Sequence, residues 1–314
     1  MSFLNKFQYQ YHSKHIESFV LSKNYDDIFK YLHDIRNKKK VFFDLSLKYV
    51  SQAIKQSDKD ISSKKIVWIN SFLEEDADYL TCFFEYYFKD NLFMKQEIFS
   101  YKTEIDKIML NDENIDFNSL INHSYFFQWI LTSQFEKSFK FIKNELPFFS
   151  TENEFNFTKS NLSQSYIHIL NNPYNVYQTI KNKNNGDQEV SRNTFLNLDN
   201  RAFTEKIGKT NFSIGKKGWH THSQSWLDAN VINSLRGKTV SIKELCDNTY
   251  ETLSSIIMHL IQSGVNLDLN YDLIETFIKV NPAPKYNKPE DLSQKELKFI
   301  NQYVDEIISS YNVV

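Results

Sequence analysis

Two short apolar runs, IVWIN (66–70) and YIHIL (166–170), each lead through a polar turn into an amphipathic stretch. That pattern constrains the fold more than any other feature of the chain. An apolar run of this length bounded by turn residues reads as a strand buried on both faces, and such strands belong to parallel sheets covered by helices. Further alternation follows, so the region after about residue 64 reads as α/β with a parallel, helix-sandwiched sheet.

The strand at 65–72 precedes a helix over 77–89, and QSYIHIL (164–170) precedes the helix PYNVYQTIKNK. Proline suits the first turn of that second helix, where its missing N–H would be unpaired anyway. In GWHTHSQSWLDA (218–229) the tryptophans stand seven apart, on one helix face. KTVSIKEL (238–245) reads as strand then turn, and NTYETLSSIIMHLIQSG (248–264) as a helix with a glycine stop. Residues 100–145 read as mostly helical, most clearly INHSYFFQWILTSQFEKSFKFI, and LPFFST (146–151) as a short strand. The polar stretch 181–189 reads as a loop, VNPAPKYNKPEDL (280–292) as a surface excursion, and LSQKELKFINQYVDEIISSY as a closing helix. Residues 1–60 carry apolar residues at three- and four-residue spacing, which predicts a helical N-terminal appendage joined by the polar segment 56–65 to a main domain over 64–314.

At 314 residues and 41% hydrophobic the chain can bury a full core. A net charge of −2 gives no global pull toward nucleic acid or an anionic membrane. Cys82 and Cys246 make no disulfide framework, no run approaches spanning length, and the first residues lack the apolar core of a signal peptide. A cytoplasmic protein is the expectation.

Three segments, in order, resemble the sulfotransferases that use 3′-phosphoadenosine 5′-phosphosulfate (PAPS). IVWINSFLEEDADYL lies where that family has a strand and then Ser-Tyr-Pro-Lys-Ser-Gly-x-Thr-Trp-Leu. YIHILNNPYNVYQTIK is similar to Tyr-Ile-x-Ile-x-Arg-Asn-Pro-x-Asp-Val-x-x-Ser. GWHTHSQSWLD, followed by KTVSIKEL and the helix to LIQSG, resembles the family's Trp-x-x-His/Asn-x-x-Ser-Trp helix, the strand after it and the helix before the C-terminal tail. The resemblance covers residues 64–310 and implies a three-layer α/β/α fold with a central parallel sheet, related to P-loop NTPases. It also implies a loop after the first strand that wraps a phosphosulfate with backbone N–H groups.

The residues that would perform this chemistry are replaced. Ser71, Phe72 and Leu80 keep the frame, but Leu73 stands for the proline, Glu74 for the cradle lysine, Asp76 for the glycine and Asp78 for the threonine, with Glu75 among them. Asn171 stands for the arginine on the 3′-phosphate, Asn175 for the aspartate, and Thr179 for the serine. If 148–155 matches the family's Phe-x-Lys-Thr-His-Asn stretch, Ser150 replaces the lysine, Thr151 remains, and Glu152 occupies the place of the general-base histidine; no other catalytic residue is identified.

Magnitudes bear on the turn. Opposite unit charges about 4 Å apart interact by roughly 4 kcal/mol at an effective dielectric of 20, and Glu74 for lysine reverses that sign. A helix N-terminus offers an anion about 0.3–1 kcal/mol, up to about 2 when partly buried. The turn therefore reads as self-capped by Asp76 or Asp78, with Glu74 and Glu75 solvated, and as needing no nucleotide. No ligand spacing supports a metal there, so no metal and no cofactor are expected, PAPS entering only if a divergent active enzyme survives. Residual anion contacts would then come from Asn171, Thr179, Trp219 and the basic loop KIGKTNFSIGKKGW, with Lys206, Lys209, Lys216 and Lys217.

Elsewhere, His220 and His222 diverge on a helix, and His222 reads as a structural hydrogen-bonding group. His168 reads as a satisfied buried histidine, His123 as packing and Cys82 as core. The abundant apolar and aromatic residues leave material for a protein partner or a homo-oligomer, with neither nucleic acid nor membrane as partner. A pocket holding a glycan or other polar ligand without chemistry is the weaker third reading.

Overall fold

The computed structural model describes residues 10–12, 14, 15, 18, 66–89, 99–100, 128, 139–145, 148–150, 155–156, 158, 162–196, 203–207, 210–214, 218–283 and 292–302. Most of the expected appendage over 1–60 lies outside these residues, as do His123 and 284–291.

The main sheet has five strands, all parallel. They are β1 (Ile66–Ser71), β2 (Phe99–Ser100), β3 (Lys140–Asn144), β6 (Ser163–Leu170) and β9 (Gly237–Ser241), in spatial order β2-β3-β1-β6-β9. Every residue of β1 and β6 is buried, as strands covered on both faces require. Polar residues at the start of β6 are satisfied locally: Ser163 Oγ accepts from Trp68 Nε1 at 2.7 Å, and Ser165 Oγ donates to the Arg236 carbonyl at 2.6 Å. Two small antiparallel pairs stand apart, β4 (Phe149–Ser150) with β5 (Phe155–Asn156), and β7 (Phe203–Ile207) with β8 (Thr210–Ile214).

Helices cover both faces. Val67, Ile69, Phe141, Ile167, Ile169 and Val240 face one way, toward α1 (Asp78–Lys89), α7 (Thr249–Gln262) and α8 (Tyr271–Val280). The aromatic side of α1 does much of this packing. Phe84 meets Phe141 at 4.9 Å between centroids, and Phe83 meets Phe277 at 5.2 Å. Each such ring taken out of water contributes about 1.5–3 kcal/mol. Tyr87 pins the helix as well, donating to the Asp268 carbonyl at 2.6 Å and accepting from Asn270 N at 2.8 Å.

On the opposite face lie α2 (Pro173–Lys183), α3 (Gln188–Leu196), α4 (Trp219–Leu227) and α9 (Gln294–Asn301). Tyr166 packs on Trp226 at 5.0 Å and donates to its carbonyl. Trp219 stacks on Phe195 in a cluster with Phe72, Leu73, Leu170 and Val176. The remaining helices are α5 (Ala229–Leu235), capped by Asp228, and α6 (Ile242–Asp247), opened by a Ser241/Glu244 capping box. Gly264, at φ +87°, ends α7, a conformation that glycine adopts without a Cβ penalty.

The described structure bears out the α/β class, both strand–turn–helix units and the glycine stop. It corrects several local expectations. Residues 140–144, read as the end of a helix, form β3 beside the central strand. The polar stretch 181–189 holds the end of α2 and the start of α3, and the basic loop contributes the end of β7 and the whole of β8. The turn expected after β9 is α6. Cys82 is exposed on α1 and is not core. Among the described residues no helix is long and apolar enough to cross a membrane.

Candidate functional site

Strand β1 lies centrally, between β3 and β6. The helix after β1 packs on one face of the sheet and the helix after β6 on the other. Neighbouring parallel strands whose connections leave to opposite faces open a crevice at their C-terminal ends, and ligands of open α/β sheets bind there. The turn Phe72–Ala77 and the pair Asn171-Asn172 form its two lips.

The first lip is a 3-10 turn, Glu74–Ala77, leading into α1. Its N-cap residue, Leu73, supplies no side-chain cap, and the Asp76 and Asp78 oxygens expected to cap the helix are engaged by Asn171 and Lys143 instead. The acids are met from outside. Asn171 Nδ2 donates to Asp76 Oδ1 at 2.8 Å, Lys183 Nζ pairs with Glu75 Oε1 at 2.7 Å, and Lys143 Nζ with Asp78 Oδ1 at 2.7 Å. Burial pushes the Asp76 carboxyl up to about 7; the Asn171 hydrogen bond and Lys183 oppose this, while Glu75 and Asp78 add to it. The second lip is held by Asn172, whose side chain accepts from Tyr174 N at 2.8 Å and caps α2.

The structure thus brings Glu75, Asp76, Asp78 and Asn171 together. Thr179 lies half-buried in the second turn of α2, and Trp219 is fully buried inside the cluster under the crevice. Side-chain positions of Glu74 and Ser150, and all of Thr151, Glu152, Lys209, Lys216 and Lys217, lie outside the described residues; so does the side chain of Lys206, which stands in β7. Among the described residues no group of three or more His, Cys, Asp or Glu is placed to hold a metal.

A polar rung was missed by sequence reasoning. Asn144, Asn70, His168 and Thr239 sit at one level across β3, β1, β6 and β9. Asn144 Nδ2 donates to Asn70 Oδ1 at 3.0 Å, while Asn70 Nδ2 and Thr239 Oγ1 are buried without a partner. His168 is buried rather than satisfied. Neither ring nitrogen completes a hydrogen bond, and burial lowers it to about 3, the nearby Asn70 backbone offsetting only part of that. His222 covers it from α4, ring centroids 5.7 Å apart, with Phe72 edge-on to His222 at 5.5 Å. The only signal in the sequence was a histidine inside an apolar strand.

No protein-family model matches the sequence, and no curated protein matches it. Among solved structures, mouse sulfotransferase SULT7A1 complexed with PAP is similar over 82% of this chain and 88% of that chain, at 14% identity and a TM-score of 0.38. At that score and identity the likeness assigns no family.

Proposed function

We propose that the chain is a sulfotransferase-like protein that has lost its nucleotide cradle and acts by binding, as a partner or regulator of another protein, with no cofactor. The Asp76–Asn171 hydrogen bond carries this reading. By resemblance, those two residues stand where a glycine of the phosphosulfate loop and the arginine of the 3′-phosphate would be. Here they engage each other across the crevice, and a carboxylate on one lip opposes any phosphate approaching the other. Two further acids already take up the local lysines. The chain would work in the cytoplasm.

A second reading, a divergent but active sulfotransferase moving a sulfuryl group from PAPS to a hydroxyl or amine, draws on Lys143 and Lys183. Both cations stand at the crevice and a bound phosphate would compete for them with Asp78 and Glu75. Isothermal titration with adenosine 3′,5′-bisphosphate separates the two. The first reading expects no heat of binding at millimolar ligand with the protein folded; micromolar affinity overturns it in favour of the second.

A further inference from the structure

We propose that the crevice between β1 and β6 is a guanidinium site, held by the Asp76 carboxylate together with the Asn171 side-chain carbonyl. The proposal rests on the proposed loss of the nucleotide cradle, which leaves the crevice without a nucleotide.

After their mutual hydrogen bond, Asp76 and Asn171 each keep one buried oxygen without a partner, Asp76 Oδ2 and Asn171 Oδ1. Asn171 is itself only 9% exposed. Both oxygens are acceptors, so only a group that brings donors satisfies them. Phosphate and sulfate esters bring acceptors. Charge points the same way: Lys183 answers Glu75 and Lys143 answers Asp78, while Asp76 has an amide for its partner. A cation therefore completes the site. For a metal ion, the described residues offer no group of three or more His, Cys, Asp or Glu placed to hold one. A guanidinium is always charged and presents a planar fork of N–H donors suited to two acceptor oxygens on adjoining planar groups; an ammonium is a strongly hydrated point charge. The N-termini of α1 and α2 oppose a cation, but this is a weak field beside a buried carboxylate, and Asn172 already answers Tyr174 N.

The competing occupant is a proton. The groups that face Asp76 are Glu75 from its own turn, Asp78 from the start of α1, Lys183 from α2 and Asn171 from the opposite lip. Burial leads these influences and brings the carboxyl up to about 7, so a guanidinium must displace a proton at lower pH. Affinity should then rise as pH passes upward through 7.

The guanidinium has two sources, a free small molecule or an arginine side chain of a partner protein. The test titrates the full chain, by isotope-edited NMR, with free arginine, N-acetylarginine methylamide and the two lysine counterparts at pH 6 and pH 8. Adenosine 3′,5′-bisphosphate is run alongside. Expected are binding of the arginine probes at least tenfold tighter than the lysine probes, affinity about tenfold weaker at pH 6 than at pH 8, and loss of binding in Asp76→Asn. Tighter binding of the capped form assigns the protein source, and tighter binding of free arginine assigns the small molecule. Should Asp76→Asn fold poorly, Asn171→Ala is expected to weaken the arginine probes at least fivefold while the pH dependence is read on the unaltered chain. Silence toward both arginine probes, equal affinity for lysine, or binding untouched by either substitution overturns the proposal. Binding of the bisphosphate overturns the loss of the cradle instead; silence toward every probe leaves that loss standing and removes the guanidinium site.

Discussion

Asn171 Nδ2 lies 2.8 Å from Asp76 Oδ1, and that bond joins two loops 95 residues apart in sequence at the C-terminal edge of the sheet. It places an amide where it can steady a carboxylate that burial drives toward its neutral form. The two lips of the crevice are thereby bridged by the chain's own polar groups, and the proton inventory there becomes part of the protein's stability.

The pH dependence follows with a definite sign. Asp76 titrates near 7 in the folded chain and near its ordinary 3.8 when unfolded, so between those values the native state holds a proton that the unfolded state has released. Stability from this group is full below about pH 4 and is lost as pH rises through 7, at up to about 1.4 kcal/mol per pH unit. Asp76→Asn keeps the shape and removes the titration. Urea unfolding of the two proteins at several pH values should show the difference in slope between pH 4 and 7, and parallel profiles would rule out a raised Asp76.

His168 works in the opposite direction. Burial holds it neutral down to about pH 3, whereas the unfolded chain takes up a proton near 6.5. Its contribution is full above 6.5 and drains away as pH falls toward 3, again by up to about 1.4 kcal/mol per unit. His168→Leu should flatten the acid limb of the stability profile. An unchanged acid limb would mean that the imidazole is reached by solvent.

How much of this was legible in the letters depends on where the information resides. The runs 66–71 and 163–170 announced themselves because strands buried on both faces must be apolar along most of their length, and the Pro173 helix start is local chemistry. Lys140–Asn144 was unreadable as a strand, because Phe141 and Ile142 continue the helical spacing of the residues before them and only pairing with β1 decides otherwise. Helix α6 did carry its signal, since Ser241 and Glu244 stand at capping-box spacing. At the site, the acids of the turn were visible, but their partners Lys143, Lys183 and Asn171 come from three other elements. No local rule connects them. The rung through Asn70 and His168 likewise exists only once the strands are in register.

Gly237 tests that register. A Cβ at this position would lie 2.1 Å from Tyr166 Cζ, on a ring whose hydroxyl is tied to the Trp226 carbonyl and cannot simply swing away. Gly237→Ala is expected to destabilise the fold by about 1–3 kcal/mol, the usual cost of overpacking. Chemical denaturation measures it. A neutral substitution would mean that β9 does not pass over Tyr166.

Glu296 fastens α9 to α2 through Lys181. Its carboxylate is buried, accepts from the Ser293 hydroxyl at 2.7 Å and the Ser293 backbone N–H at 2.8 Å, and pairs with Lys181 at 3.0 Å. Burial pushes this carboxyl up, but the Ser293 donors and Lys181 together outweigh it and hold it below the usual range. A carboxyl lowered on folding stabilises above its unfolded value of 4.5, and that contribution drains as pH falls through the lower folded value. Glu296→Gln keeps the volume and removes the charge-assisted bonds, at an expected cost of about 1–3 kcal/mol near neutral pH. The gap between the two proteins should narrow as pH drops below 4.5. A gap that stays constant into acid would show that packing, rather than the charge on Glu296, holds the helix in place.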